Sequence, residues 1–356
     1  MVEATSARPG RRIAIVRLTS LGDVIHTLPV AAAIRKHEPT ARVIWLVEEH
    51  EQILLQNNPV VDDVLLVPLR RWRELLTSGA GWRTIRREWT ALRDQLRALE
   101  IDVALDVQGW GHKTSPFVWL TRAPVRVGFE GPYARDPMST LATTVHVTPP
   151  PSAKHVVDMN LCLLGPLGLT ATEVRFPLPS FAEADARVAA WFRDRAFRTP
   201  RLVAVLPATR GKQKLWPAES FRELARRLLA DGQTTVPLVG GPGEESRLED
   251  VRATLPPDRT VVWSAGPVGE LIHLLRRTDL VIGNDTGPLH LAAAHDVPSL
   301  GLFGPTRGER NGPYGPTGAF VQSPSGRMSD ISVDEVTAVA TRLASTVAPR
   351  AKAALR

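Results

Sequence analysis

Short apolar runs alternate with longer amphipathic segments along this chain. The apolar runs are mostly continuous rather than alternating, which is typical of parallel strands that are buried on both faces of a sheet. They form two series, separated near residues 170–180. The predicted strands are 13–18, 43–47, 64–67, 103–107 and 125–129 in the first series, and 202–206, 235–239, 260–262, 280–282 and 299–302 in the second.

Helical periodicity fills the intervals between these strands. The predicted helices are 24–36, 82–99, 184–195, 218–230, 244–253, 268–276, 288–295 and 332–347. This order predicts an α/β fold of two doubly wound domains with a cleft between them. The length of 356 residues agrees, because single hydrophobic cores stop growing above roughly 250 to 300 residues.

The domain boundaries follow from the break between the two series, which contains the proline-rich stretch FPLPS. We predict a first domain over residues 12–172 and a second over residues 173–330. A last helix, within residues 331–348, is expected to pack back on the first domain. Residues 1–11 and 349–356 are polar or basic and are expected to be mobile tails.

The composition favours a globular protein outside the membrane. Hydrophobic residues make up 43% and charged residues 23%, and no window offers the roughly 18 apolar residues that span a bilayer. The single cysteine, Cys162, excludes an internal disulfide, and we expect a cytoplasmic location. The net charge of +7 favours acidic partners such as phosphates, nucleic acid or an anionic membrane face. A surplus of arginine that only keeps the protein soluble is an equal alternative.

A Gly-Asp pair stands where the first strand leads into a helix, in the stretch LTSLGDVIHTLP at residues 18–29. In open α/β sheets, ligands bind outside the carboxyl ends of the strands, and glycine lets the backbone approach a ligand closely. Asp23 is therefore a candidate site residue. It could instead only cap the helix that follows, for which aspartate is a preferred residue.

A matching junction, VIGNDTGPLHLA, occupies residues 281–292. Asp285, Thr286 and Gly287 lie between a strand and a helix, whose free amides and dipole suit a phosphate. Asp285 could cap the helix instead, and His290 could be an ordinary buried histidine. Two loops add further candidates, Thr209 with Lys214 after the strand 202–206, and Glu244 in the glycine-rich stretch after 235–239. For each of these two loops a solvated turn is the alternative.

Several common motifs are missing. The sequence has neither the G-x-x-x-x-G-K-[ST] phosphate loop nor a G-x-G-x-x-G after the first strand, which disfavours a P-loop ATPase and an ordinary dinucleotide dehydrogenase. It also lacks a C-x-x-C pair, an H-E-x-x-H and a D-x-D motif. We therefore expect no cofactor and no tightly bound catalytic metal.

Five motifs in order resemble the lipopolysaccharide heptosyltransferases, which form glycosyltransferase family 9, and most of all their type I branch. They are LTSLGDVIHTLP at 18–29, RRWR at 70–73, DVQG at 106–109, Thr209 with KLWP at 214–217, and NDTGPLH at 284–290. Each motif is weak alone, but the ordered set is specific. The resemblance extends from about Arg12 to Gly315.

The resemblance implies a GT-B fold and an inverting, metal-independent transfer of L-glycero-D-manno-heptose from ADP-heptose to a Kdo residue of the lipopolysaccharide inner core. By position it implies that Asp23 is the general base. The implied nucleotide-sugar ligands are Thr209, Lys214, Glu244, Asp285, Thr286, Gly287 and His290. The implied ligands of the acidic acceptor are Arg70, Arg71, Arg73, Lys113 and Arg135.

The implied partners are ADP-heptose, a Kdo-bearing lipid A precursor and, peripherally, the inner face of the inner membrane. The chain departs from the family at Arg210, where the family has a second threonine, and its segment 108–113 is one residue longer. A related transferase with another sugar or acceptor and a non-catalytic carbohydrate-binding descendant are the alternatives. Nucleic acid is not an expected partner, because the basic residues are not interleaved with aromatic residues as in RNA-binding strands.

Overall fold

The computed structural model describes residues 10–77, 81–195, 199–264 and 266–345. These residues form two compact units that divide between Pro179 and Ser180. Each unit contains one six-stranded sheet whose strands are all parallel, with helices between them. The predicted α/β class is confirmed, and so are all the strands predicted from the apolar runs.

The described residues of the first unit form six strands and six α-helices. The strands are β1 (Arg12–Val16), β2 (Arg42–Val47), β3 (Asp63–Leu66), β4 (Val103–Asp106), β5 (Val125–Phe129) and β6 (Val145–Val147), and the helices are α1 (Leu21–Ile25), α2 (Leu28–His37), α3 (Leu69–Thr77), α4 (Trp82–Ala98), α5 (Ser115–Leu120) and α6 (Val156–Cys162). Short 3-10 helices occupy Gln52–Leu54, Pro137–Ala142 and Gly165–Leu167. The strand order is β3-β2-β1-β4-β5-β6.

The second unit repeats this plan. Its strands are β7 (Arg201–Leu206), β8 (Thr234–Val239), β9 (Thr260–Trp263), β10 (Leu280–Asn284), β11 (Ser299–Phe303) and β12 (Gly318–Gln322), and its helices are α7 (Ala182–Asp194), α8 (Ala218–Leu229), α9 (Glu245–Arg252), α10 (Val268–Arg276), α11 (Gly287–Ala294), α12 (Gly308–Asn311) and α13 (Val333–Ser345). The 3-10 helices are Lys212–Lys214 and Met328–Asp330. The order β12-β11-β10-β7-β8-β9 is again the 3-2-1-4-5-6 arrangement of a dinucleotide-binding fold.

Two edge strands, β6 and β12, escape prediction because their sequences carry little apolar signal. β6 is three residues long and none of them is fully buried. In β12 only Val321 is buried. Edge strands have one paired neighbour and less buried surface, so hydrophobic periodicity is weak there.

The helix predicted over 24–36 is two helices, α1 and α2, which are separated at His26 and Thr27. Pro29 explains the break, because in one continuous helix its ring would clash with the carbonyl of residue 25, four positions earlier. The carbonyl of His26 is satisfied instead by Nδ2 of Asn160, at 3.1 Å. The break sets the direction of α1, which carries Asp23.

The last helix, α13, belongs to the second unit. α13 packs on the second unit, where Val336, Ala340 and Leu343 belong to the core formed with α8 and the sheet. Nε1 of Trp216 donates to the carbonyl of Ile331 at 3.0 Å. The apolar face of α13 is thus buried within its own unit, and packing of this helix on the first domain stays a prediction.

The terminal segments lie mostly outside the described residues, since residues 1–9 and 346–356 are not described. Arg11, at the end of the predicted N-terminal tail, is held by Glu38, to which its Nε donates at 2.8 Å. No helix among the described residues is long and apolar enough to cross a membrane.

Candidate active site

The candidate residues lie where the strand order of each sheet reverses. In the first unit β1 pairs with both β2 and β4, and in the second unit β7 pairs with both β8 and β10. At such a switch point the loops that follow the two central strands diverge and leave a crevice for a ligand. Asp23 follows β1, Lys214 follows β7, and Asp285 follows β10.

Asp23 occupies the third position of α1 and is held from two sides. One carboxylate oxygen lies 2.5 Å from Nη2 of Arg17. The other accepts from the backbone N–H and the hydroxyl of Ser20, at 3.1 and 3.0 Å. The side chain keeps 31% of its surface exposed. Ser20 rather than Asp23 is the N-cap of α1, and Asp23 completes the capping box from the third helical position. Asp23 also keeps an accessible carboxylate edge.

The pKa of Asp23 reflects competing effects. Burial raises the pKa, but the charge of Arg17, the two hydrogen bonds from Ser20 and the charge of Arg135 together lower it below its ordinary value. Asp23 is consequently ionised at neutral pH. An ionised, positioned and accessible carboxylate is able to accept a proton.

Arg17 is a residue of the candidate site that sequence reasoning missed. It is 5% exposed at the end of β1, and its Nη1 donates to the carbonyl of Val107 at 3.0 Å. It thereby links the loop after β1 to the loop after β4 and presents its other nitrogen to Asp23. The sequence did contain a signal for Arg17, because it is a charged residue near the end of an otherwise apolar run.

A second carboxylate, Asp106, lies at the end of β4 but has a different role. It is 1% exposed and accepts from the N–H of Gly109 at 2.9 Å and the hydroxyl of Thr114 at 3.2 Å. Burial raises its pKa to about 6 in spite of these bonds. Asp106 therefore fixes the loop 107–114, and it has no open edge for a substrate.

Replacing Asp106 with asparagine is expected to change how stability depends on pH. Because the pKa of Asp106 is raised from 3.8 to about 6 on folding, its stabilising contribution is present below pH 3.8 and is lost as pH rises through 6. The loss is about 3 kcal/mol. Urea unfolding at pH 4 and pH 7 should show Asp106→Asn gaining stability relative to the wild type at the higher pH. Parallel pH curves for the two proteins would contradict this assignment.

Two predicted acceptor ligands meet on one aromatic ring. Nζ of Lys113 lies 3.7 Å from the ring centroid of Trp110, and Cζ of Arg135 lies 4.3 Å from it. Such cation–π contacts hold a cation while leaving its N–H groups available to an anion. The charge of Arg135 also lowers the pKa of Asp23. Lys113 and Arg135 are thus placed together at the edge of the sheet that carries Asp23.

Electrostatic contacts extend this cluster to α3. Burial lowers the pKa of Lys113, and the charges of Arg73 and Arg135 lower it further. Glu48, directly after β2, has a pKa raised by burial, although Lys113, Arg73 and Arg70 oppose that rise. The cations of the cluster therefore surround one half-buried carboxylate that sequence reasoning missed.

The arginines of α3 do not all have the same surroundings. Nη1 of Arg70 lies 2.8 Å from Nε2 of His50, and Arg70 lines an open pocket of about 310 Å³ that Glu48 also lines. Arg71 lines this pocket too, but it pairs with Glu88 of α4 at 2.9 Å. Trp72 is buried in the core and donates to Glu88 at 2.8 Å. Arg71 is therefore partly committed to holding α3 against α4.

In the second unit the predicted donor residues converge on Asp285. Nζ of Lys214 donates to its carboxylate at 2.6 Å, and Nε2 of His290 lies 3.6 Å from its other oxygen. The hydroxyl of Thr209 donates to the backbone carbonyl of Asp285 at 2.8 Å. Thr306, which follows β11 and which sequence reasoning missed, donates to the carboxylate at 2.8 Å.

The charge of Asp285 is strongly stabilised. Burial raises its pKa, but His290 and Lys214 outweigh burial and hold that pKa far below its ordinary range. The carboxylate therefore fixes Lys214 beside the start of α11. The helix begins at Gly287, with Thr286 in extended conformation immediately before it, so the free amides of its first turn suit an anion.

Glu244 and Arg247 shape the neighbouring loops. The carboxylate of Glu244 accepts from the N–H of Gly241 at 2.7 Å, so it closes the glycine-rich loop after β8. Nε of Arg247 donates to the carbonyl of Pro207 at 3.2 Å, and its Nη2 donates to the carbonyl of Trp216. Nδ2 of Asn284 donates to the same Pro207 carbonyl at 3.0 Å. Within the described ranges, no three His, Cys, Asp or Glu side chains are grouped so that they could hold a metal ion.

Two units, each with one parallel six-stranded sheet in the order 3-2-1-4-5-6 and with candidate residues at its switch point, match the GT-B fold of glycosyltransferases. The family model for glycosyltransferase family 9 (heptosyltransferase) matches residues 89–337. The chain belongs to this family and is a heptosyltransferase. The family and the GT-B fold predicted from the sequence are thereby confirmed.

Individual proteins agree with the family. The lipopolysaccharide heptosyltransferase 1 of Pseudomonas aeruginosa is 31% identical over 309 residues, which cover 85% of this chain and 81% of that protein. The structure of E. coli heptosyltransferase WaaC with ADP has a TM-score of 0.74 at 26% identity, and the match covers 93% of this chain and 99% of that one. WaaC with ADP-2-deoxy-2-fluoro heptose gives 0.72 at 26% identity, with the same coverage.

Proposed function

We propose that this enzyme transfers L-glycero-D-manno-heptose from ADP-heptose to a Kdo residue of the lipopolysaccharide inner core, with inversion and without a metal ion. The observation that carries the proposal is the ionised, accessible carboxylate of Asp23 beside the cations Arg135 and Lys113. A base next to a cationic patch fits an acceptor that is a sugar alcohol bearing acidic groups. Similarity to WaaC, solved with ADP and with an ADP-heptose analogue, supports the donor.

The chemical step requires one base on the acceptor side. The acceptor hydroxyl gives its proton to the carboxylate of Asp23 while its oxygen forms a bond to the anomeric carbon of the heptose. The bond from that carbon to the diphosphate oxygen breaks on the opposite face, and ADP leaves with the electron pair. Attack opposite the leaving group inverts the configuration. Arg17 and Ser20 hold the base in position.

The donor side must stabilise the charge that develops on ADP. Lys214 and the first amides of α11, at Thr286 and Gly287, supply positive charge without a metal. Asp285 and His290 keep Lys214 in place, and Thr209 fixes the loop that carries it. In this proposal Glu244 acts through the glycine-rich loop, whose backbone approaches the nucleotide.

The acceptor side must neutralise carboxylate and phosphate groups. Arg70, Arg71, Arg73, Lys113 and Arg135 are the proposed ligands, with arginine suited to bidentate contacts.

The anionic inner face of the inner membrane is a further proposed partner, contacted peripherally. Exposed arginines on α4 support this contact, because Arg83, Arg86 and Arg87 have no carboxylate within ion-pair distance among the described residues.

Acceptor-dependent release of ADP tests the proposal. Purified enzyme is given ADP-heptose with and without a Kdo-bearing lipid A precursor, in the presence of EDTA, and ADP is measured. We expect release only with the acceptor and no loss in EDTA. Release that EDTA abolishes would refute metal independence. If ADP binds but is never released from ADP-heptose, the donor is a different nucleotide sugar or the chain does not catalyse transfer.

A further inference from the structure

The 3-10 helix Pro137–Ala142 exposes apolar side chains and buries a polar one. A 3-10 helix has three residues per turn, so residues i and i+3 lie on the same face. Met138 and Leu141 form one such pair and are 65% and 80% exposed. Ser139 and Ala142 form another pair, and both are buried. This arrangement is the reverse of the pattern expected for a surface that faces only water.

A third exposed apolar residue belongs to the neighbouring helix. α5 packs against this 3-10 helix, and its Trp119 is 61% exposed while Phe117, Val118 and Leu120 are buried. Monomeric proteins rarely leave such groups together on the surface without a partner. We call Met138, Leu141 and Trp119 the apolar stripe.

Two arginines lie close to the 3-10 helix that carries Met138 and Leu141. Arg135 lies three residues before Met138, and Arg126 donates to the carbonyl of Ala142, the last residue of the 3-10 helix, at 2.7 Å. Neither arginine has a carboxylate within ion-pair distance in the described part of the chain. Asp136 is an acidic residue beside the stripe, and it accepts from the N–H of Met138 at 3.0 Å. Exposed apolar side chains with arginines nearby that have no ion-pair partner match an anionic lipid surface.

The stripe is continuous with the acceptor cluster. The loop that carries Trp110 and Lys113 packs against the start of the 3-10 helix, since a Cβ added to Gly111 would lie 2.8 Å from Cβ of Met138. Lys113 lies two residues before the start of α5, and Arg135 lies two residues before the start of the 3-10 helix. The same two segments thus present cations at one end and apolar side chains at the other.

We propose that the apolar stripe inserts into the interface of an anionic lipid bilayer and so brings a membrane-bound acceptor to Lys113 and Arg135. The occupant is the hydrocarbon boundary of the bilayer, and Arg126 and Arg135 contact its headgroup phosphates. The role in acceptor delivery rests on the proposed function, whereas the insertion itself does not.

Vesicle binding of a double variant tests the insertion. Met138→Ser with Leu141→Ser removes apolar surface from the exposed face alone, so the fold is expected to be intact. We expect its partition onto phosphatidylglycerol-containing vesicles to fall about tenfold. The matched control is Met138→Leu with Leu141→Met, which keeps the apolar surface and should bind as the wild type does. Equal partition of the serine variant and the wild type, or a wild type that does not bind, would overturn the proposal.

Two acceptors separate this inference from the proposed function. With a lipid-linked acceptor in vesicles, turnover of the serine variant should fall in parallel with its partition. With the deacylated, water-soluble acceptor, its kcat and KM should equal those of the wild type. If the serine variant loses turnover with both acceptors, the stripe acts in the active site instead. If the serine variant loses self-association but not vesicle binding, the stripe is an interface between two copies of the chain. A wild type inactive on both acceptors would refute the function while vesicle binding still decided the insertion.

Discussion

Asp23→Ala is expected to lower kcat by about 10²- to 10⁴-fold, because a positioned general base contributes that much to proton transfer. ADP affinity should stay within a few-fold of the wild-type value, since Asp23 belongs to the first unit and the proposed nucleotide ligands belong to the second. Single-turnover rates and calorimetric titration with ADP measure the two quantities. Near-normal turnover would remove Asp23 from the mechanism.

Two controls separate the charge of Asp23 from its structural role. Asp106→Asn removes a second carboxylate at the same edge of the sheet and should leave turnover near the wild-type rate, because Asp106 is enclosed by its own loop. Ser20→Ala removes a 3.0 Å hydrogen bond that lowers the pKa of Asp23. The pKa of Asp23 should therefore rise, and the acid limb of the kcat/KM profile should move to higher pH. A shift to lower pH would assign that limb to a different group.

Lys214→Met is expected to lower kcat/KM for the donor by about 10²- to 10³-fold, as loss of a preorganised electrostatic contact to a leaving group does. Removing Lys214 also leaves Asp285 without the cation that is 2.6 Å away. A buried carboxylate without its partner repels the diphosphate, so donor KM should rise and acceptor KM should not. Initial rates with each substrate varied in turn distinguish the two effects.

Lys212, two residues before Lys214, provides the matched control for Lys214→Met. Lys212 is exposed in the same short 3-10 helix, so Lys212→Met makes the same change of side chain and charge without touching Asp285. We expect its donor KM to stay within a few-fold of the wild type. Equal effects of the two variants would mean that general charge in the loop, rather than the Lys214–Asp285 pair, binds the donor.

Local sequence determined most of the secondary structure and the position of each candidate residue along the chain. The buried strands are continuous apolar runs, so β1, β7 and β10 were readable directly, together with the polar residues that follow them. Asp23, Lys214 and Asp285 were found because a change from apolar to polar residues marks the carboxyl end of a strand. The weakly apolar edge strands β6 and β12 gave no such signal.

Only the tertiary structure decided which loops meet. β1 pairs with β4 across 90 residues of chain, which brings Arg17 to the carbonyl of Val107, and β7 pairs with β10, which brings Thr209 to Asp285. The sequence around each residue does not reveal such long-range pairs, because the partner of its hydrogen bond or charge lies on a segment that is distant in sequence. The same holds for α13, whose apolar face does not indicate which sheet it covers. The sequence thus determined the buried strands and most of the candidate residues, and the order of the strands determined which of those residues meet.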